Sequence, residues 1–152
     1  MKGKVQIKIK NRKCQFEFEI ERNITIVRGD SGTGKTTLFN MISEYTRLKE
    51  ESGINLQCSK KCIALTAIDW EHQLEQAKDS VVFIDEGDRF VSSKDFANII
   101  RNSDNYYVLF VRENLHELPY SVNEIYEIHT SGKIHTFKIM QDRLRRLLCC
   151  SL

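Results

Sequence analysis

The chain has 152 residues, enough for one compact domain and too few for two of ordinary size. With 41% hydrophobic and 29% charged residues it is neither a disordered polar chain nor a coiled coil, and no stretch approaches the roughly 20 apolar residues of a membrane-spanning helix. A net charge of +2 is near balance and carries no electrostatic footprint of a nucleic-acid binder.

In chain order, residues 4–21 read as a β-hairpin turning at Asn11-Arg12-Lys13. Pairing Ile9 with Phe16 puts Ile7 against Phe18 and Val5 against Ile20 on one face. The other face then pairs Lys8 with Glu17 and Lys4 with Glu21, so a single register satisfies both faces. A short β-branched strand is predicted at Ile24 to Arg28, and a helix at Lys35 to Leu48 from apolar residues 38, 41, 42, 45 and 48. Residues 49–60 read as a polar loop, Ile63 to Ile68 as a strand, and Trp70 to Lys78 as a helix capped by Asp69. Val81 to Asp85 is an apolar run ending in acid, as expected of a central parallel strand. The helix at Ser92 to Asn102 carries a Ser92/Asp95 capping box and a Val91/Phe96 staple. A second buried strand follows at Tyr106 to Val111, and a hairpin from Glu124 to His129 and Ile134 to Met140 turns at Ser131-Gly132. Repeated βα units predict a parallel sheet covered by helices on both faces.

Two motifs carry chemistry. Gly29-Asp30-Ser31-Gly32-Thr33-Gly34-Lys35-Thr36 matches the phosphate-loop pattern G-x-x-x-x-G-K-[ST], with a strand before it and a helix after it. Glycines let successive backbone N–H groups point into one concavity, and the helix adds the positive end of its dipole. In such a loop, closed here by Thr37, Lys35 reaches the β and γ phosphates and the Thr36 hydroxyl sits on Mg²⁺. Asp85 ends the apolar strand and is placed to hold Mg²⁺, and Glu86 beside it can orient or deprotonate an attacking water.

With these motifs the sequence resembles the P-loop NTPases, and within them the additional-strand, catalytic-glutamate division of ABC-, AAA- and recombinase-type ATPases. The Asp85-Glu86 pair and strand 63–68, lying in sequence between the loop strand and the Asp85 strand, carry the narrower resemblance. It implies an α/β three-layer sandwich with a mostly parallel central sheet, an N-terminal antiparallel hairpin and a C-terminal hairpin. The domain is expected to run over 1–152, with the hairpin at 1–21, the nucleotide-binding core at 24–130 and a last strand and tail at 131–152. It further implies ATP and Mg²⁺ as cofactors, and ATP hydrolysis that drives a conformational change in a partner. A second copy or a separate partner protein completing the site is the expected form of assembly. No LSGGQ-like signature occurs, and residues 49–80 are too few for the helical subdomain that carries it in ABC proteins. An AAA-type helical lid is not expected either, since about 12 residues follow the last hairpin.

At the end of strand 106–111, Arg112 and Asn114 are candidate sensors of the γ-phosphate. Arg89 could act as an arginine finger and Asp88 could line the metal site, although a surface salt bridge and a solvated loop are the plainer readings. Phe16 or Phe18 could stack on adenine, but both lie on the apolar hairpin face, which favours core packing. His72, His116, His129 and His135 are scattered and form no triad or metal set. A small-molecule kinase is a competing reading, countered by the absence of an Arg-rich lid and by Glu86 beside Asp85. GTP is disfavoured because no guanine-reading NKxD motif occurs. A non-catalytic, ATP-gated interaction module is the remaining alternative. The five Cys, an odd number, read as reduced thiols of a cytoplasmic protein. Cys58 and Cys62 have no second pair at zinc-site spacing, and the terminal Cys149-Cys150-Ser151-Leu152 reads as an incidental tail rather than a lipidation box.

Overall fold

The computed structural model describes residues 3–21, 23–28, 34–85, 89–111 and 124–139, with Arg89, Ser92 and Glu124 described by their backbone alone. The strands are β1 (Lys4–Lys10), β2 (Gln15–Glu21), β3 (Ile24–Arg28), β4 (Asn55–Cys58), β5 (Lys61–Leu65), β6 (Ser80–Ile84), β7 (Tyr106–Val111), β8 (Glu124–Ser131) and β9 (Ile134–Ile139). The helices are α1 (Lys35–Leu48), α2 (Trp70–Gln76) and α3 (Lys94–Arg101), with single 3₁₀ turns at Lys49–Ser52 and Arg89–Ser92.

The first hairpin forms in the expected register, from Lys4 opposite Glu21 to Lys10 opposite Gln15. Asn11 closes its turn, with Oδ1 accepting from the backbone N–H of Lys13 at 2.8 Å and of Cys14 at 2.9 Å. Lys8 and Glu17 form a 3.3 Å ion pair on the outer face, but both are well exposed and such pairs contribute about 0–1 kcal/mol. The inner face dominates. Val5, Ile7, Ile9, Phe16, Phe18 and Ile20 are all buried, and each contributes roughly 1.5–3 kcal/mol by leaving water.

All nine described strands join one sheet, in the order β4-β1-β2-β9-β8-β3-β7-β6-β5. Pairing is parallel from β8 through β3, β7 and β6 to β5, and between β2 and β9. It is antiparallel at β4–β1, β1–β2 and β8–β9, so the sheet is mixed. Its two edge strands, β4 and β5, are consecutive in the chain and linked only by Ser59 and Lys60. A flat nine-stranded sheet would hold its edges roughly 38 Å apart at about 4.8 Å per strand. A two-residue link spans at most about 11 Å, so the sheet must roll until its edges meet. Helix α1 lies in the roll. Leu38, Met41 and Ile42 pack into one core with inward residues of β1, β2, β3, β5, β6 and β7.

On the far side, Ile24, Ile26, Val82, Ile84, Tyr107 and Leu109 form a second core with Leu74 of α2 and Phe96 and Ile100 of α3. Strands β3, β6 and β7 are thus buried on both faces, which explains their unbroken apolar runs. The expectation of helices on both faces does not extend to the β1–β2 wing. Its outer face is lined by Lys, Gln and Glu, half-buried or exposed.

Other expectations need correction. Residues 49–60 are not all loop: β4 forms within them because β1 offers it an open edge, Ile7 pairing with Cys58 and Ile9 with Leu56. The strand placed at 63–68 sits at Lys61–Leu65, held in register by β6, and Ile68 is 86% exposed beyond it. Helix α2 ends at Gln76, and Asp69 does not cap it through its side chain. Instead the Gln73 amide bridges back to the Thr66 hydroxyl at 2.7 Å and the Ile68 carbonyl at 2.8 Å. Helix α3 is capped by Ser93 rather than Ser92: Ser93 Oγ accepts from the Phe96 N–H at 3.1 Å, because the 3₁₀ turn takes up the preceding residues.

Where the roll closes, the Cys58 and Cys62 thiols hydrogen-bond. This bond, helped by the Lys60 N–H, holds the Cys58 thiol at about 7, whereas the same contact and burial push Cys62 up. Cys14, Cys58 and Cys62 are free among the described residues. No described helix is long and apolar enough to cross a membrane.

Asn105 ties the near ends of the strands together. It is 2% exposed; Oδ1 accepts from the Ser80 N–H at 2.9 Å and Nδ2 donates to the Ala77 carbonyl at 3.0 Å. Asn105→Ala strands both backbone groups and is expected to destabilise the protein by about 2–3 kcal/mol, read from urea unfolding. A loss within about 0.5 kcal/mol would show that water replaces the amide.

Candidate functional site

The parallel pairing brings the carboxyl ends of β3, β7 and β6 to one edge of the sheet. In open α/β sheets this is the edge where loops gather and ligands bind. Arg28 pairs with Val111, and Ile84 with Leu109, so the ends are level to within two residues. Strand β3 ends at this edge with Arg28, and the chain re-enters the described structure at Gly34, the N-cap of α1. Gly34 has φ +101°, a conformation that strains any side-chain-bearing residue. Among the described residues the helix has no side-chain cap, and its first turn holds no acidic residue. Nothing in its own first turn offsets the positive end of its dipole.

Lys35 is 5% exposed, unusual for a lysine, and its Nζ donates to the Val111 carbonyl at 3.1 Å. This bond lays the start of α1 over the end of β7. Asp85, half-buried, follows β6 directly, about one strand spacing (~4.8 Å) to the side. Thr36 and Thr37 are exposed in the first turn of α1. The fold thus gathers Gly34, Lys35, Thr36, Thr37 and Asp85 at one edge. Gly29, Asp30, Ser31, Gly32, Thr33, Glu86, Asp88, Arg112 and Asn114 lie outside the described residues, as do the Arg89 side chain and the terminal Cys149–Leu152. Covalent linkage alone puts Glu86 next to Asp85 and Arg112 next to Val111.

In the sheet, β7 lies between β3 and β6, while β5, which lies between them in sequence as expected, sits at the sheet edge beyond β6. Intervening in sequence and intervening in space are different properties, and only the pairing separates them. Phe16 and Phe18 are 0% and 5% exposed, so neither ring can receive a base. Each is covered by a residue of β9: Phe18 stacks on Phe137 at 4.0 Å between centroids and Phe16 on His135 at 4.5 Å. His135 is the residue that sequence reasoning passed over. Its Nδ1 lies 3.9 Å from where a Cβ on Gly34 would stand. No local pattern signals this, because the parallel pairing of β2 with β9 makes the contact.

Residues 25–112 match the model of the ATPase family associated with various cellular activities (AAA). That span is more than half of the chain. The chain belongs to the AAA family. No curated protein matches it. The AAA match begins in β3 and ends one residue past β7, so it takes in the glycine-rich segment, α1, Asp85 and the strand between them. Both hairpins lie outside the match. AAA membership implies ATP binding, and AAA proteins often oligomerise.

Proposed function

We propose that this AAA protein is a Mg-ATP-dependent ATPase whose turnover drives a conformational change in a partner. The observation that carries this reading is the Lys35–Val111 bond. It draws a buried cation and the start of α1 over the strand next to that of Asp85. A cation and a helix dipole at one point favour a polyanion, and a carboxylate one strand away favours a cation beside it.

In this reading Gly29 to Thr37 cradle the triphosphate through backbone N–H groups, and Lys35 offsets charge on the β and γ phosphates. The Thr36 hydroxyl and Asp85 carboxylate are hard oxygen donors at the same edge and fit Mg²⁺, directly or through water. When bound, Mg²⁺ neutralises phosphate charge as the bond to the γ-phosphorus breaks. Glu86 receives the proton of the attacking water, and Arg112 and Asn114 at the end of β7 sense the γ-phosphate. The position of β7 between β3 and β6 supports the additional-strand, catalytic-glutamate assignment. The cores on opposite faces of β3, β6 and β7 support a three-layer sandwich there. The free thiols support a cytoplasmic setting.

The test is phosphate release from Mg-ATP by the purified chain over a concentration series. Turnover per chain is expected to rise with concentration, as it does when a second copy completes the site. Bound ATP with no release at any concentration would replace the hydrolase with an ATP-gated interaction module.

A further inference from the structure

We propose that His135 is the platform on which the base of the nucleotide stacks; this rests on the ATP-binding reading above. The sheet order provides the direction. Asp85 lies two strands from β3 on one side, and His135 lies two strands from β3 on the other, beyond β8. Because β9 runs antiparallel to β8, and β8 parallel to β3, the start of β9 stands at the same edge as the carboxyl end of β3. A triphosphate bound at the start of α1, by Gly34 to Thr36, turns its metal-binding end toward Asp85. Its nucleoside end therefore leaves toward β8 and β9, where His135 waits beside Gly34.

The imidazole is built as a platform. One face rests on Phe16, with centroids 4.5 Å apart and planes 20° from parallel. Nδ1 is hydrogen-bonded to the Thr130 hydroxyl at 2.8 Å, which fixes the ring's rotation. Phe16 is itself immobilised: it is fully buried, and its ring edge lies 3.6 Å from the Cβ position of Gly34. His135 is half-buried rather than enclosed. A ring held on one face and by one edge loses little entropy when a base covers it. Every base offers a π-face, so this contact favours nucleotide over bare phosphate without selecting strongly among purines.

The experiment compares Mg-ATP with Mg-tripolyphosphate, which shares the phosphates and lacks the base, by calorimetry on the full chain. His135→Ala is expected to weaken ATP binding about tenfold and leave tripolyphosphate binding unchanged. His135→Phe, which keeps a ring, is expected to restore most of the ATP affinity. His135→Gln, which keeps a polar group but no ring, is expected to behave like Ala and serves in its place if Ala does not fold. Equal losses for both ligands would make His135 a support for the phosphate loop and overturn the proposal. An unchanged ATP affinity in both ringless variants would do the same. A wild-type chain that binds neither ligand would defeat the ATP-binding reading itself, and this inference with it.

Discussion

Lys35→Ala is expected to raise the dissociation constant for Mg-ATP by at least about a hundredfold, measured by calorimetry or a fluorescent ATP analogue. Hydrogen bonds to charged groups contribute about 1.5–3 kcal/mol each, and a hundredfold corresponds to about 2.8 kcal/mol. The cation is 5% exposed, so water cannot substitute for it as it would at a surface lysine. The substitution also removes the donor to the Val111 carbonyl and empties the space of a buried stem. Ala is therefore expected to cost about 1–3 kcal/mol of stability, which alone could blur a binding result. Lys35→Met separates the two effects. It keeps the stem and drops the charge, so affinity should fall as in Ala while the melting temperature stays closer to wild type. Near-wild-type affinity in the Met variant would remove Lys35 from the site.

Glu86→Gln is expected to lower turnover by about 10²–10³-fold and leave ATP affinity within about twofold, since general-base catalysis contributes 10²–10⁴. Gln matches Glu in shape and accepts hydrogen bonds, but it cannot take a proton at neutral pH. Loss of turnover with binding retained is therefore the signature of a base acting on water. Single-turnover phosphate release with equilibrium binding on the same preparation makes the comparison. Equal turnover in the two proteins would leave Glu86 a neighbour of Asp85 with no part in the chemistry.

Much of the local structure was legible before any coordinates. The β1–β2 register could be read because two independent complementarities, apolar on one face and ionic on the other, agree only in that alignment. The bounds of α1 and β7 were legible for a similar reason: a helical stripe and an unbroken apolar run each need only neighbouring residues. Errors fell where the outcome depended on distant partners. Asn55–Cys58 has no strand signature of its own and becomes β4 because β1 has a free edge. The capping-box pattern pointed to Ser92 as the cap of α3, and the 3₁₀ turn packed before the helix moved that role to Ser93.

The candidate site divides along the same line. Gly29 to Thr36 and Asp85-Glu86 are short, contiguous motifs, so the sequence alone determined that they exist and which chemistry they suit. Their arrangement belongs to the tertiary structure. It decided that Lys35 anchors on Val111, that β7 lies between the loop strand and the strand that ends at Asp85, and that the sheet rolls around α1. It also decided that His135 stands beside Gly34. Side-chain periodicity reports which face of an element is buried, but not which strand, far along the chain, will lie against it. That choice is made by collective packing of the whole sheet, where one pairing satisfies every backbone edge and both cores at once.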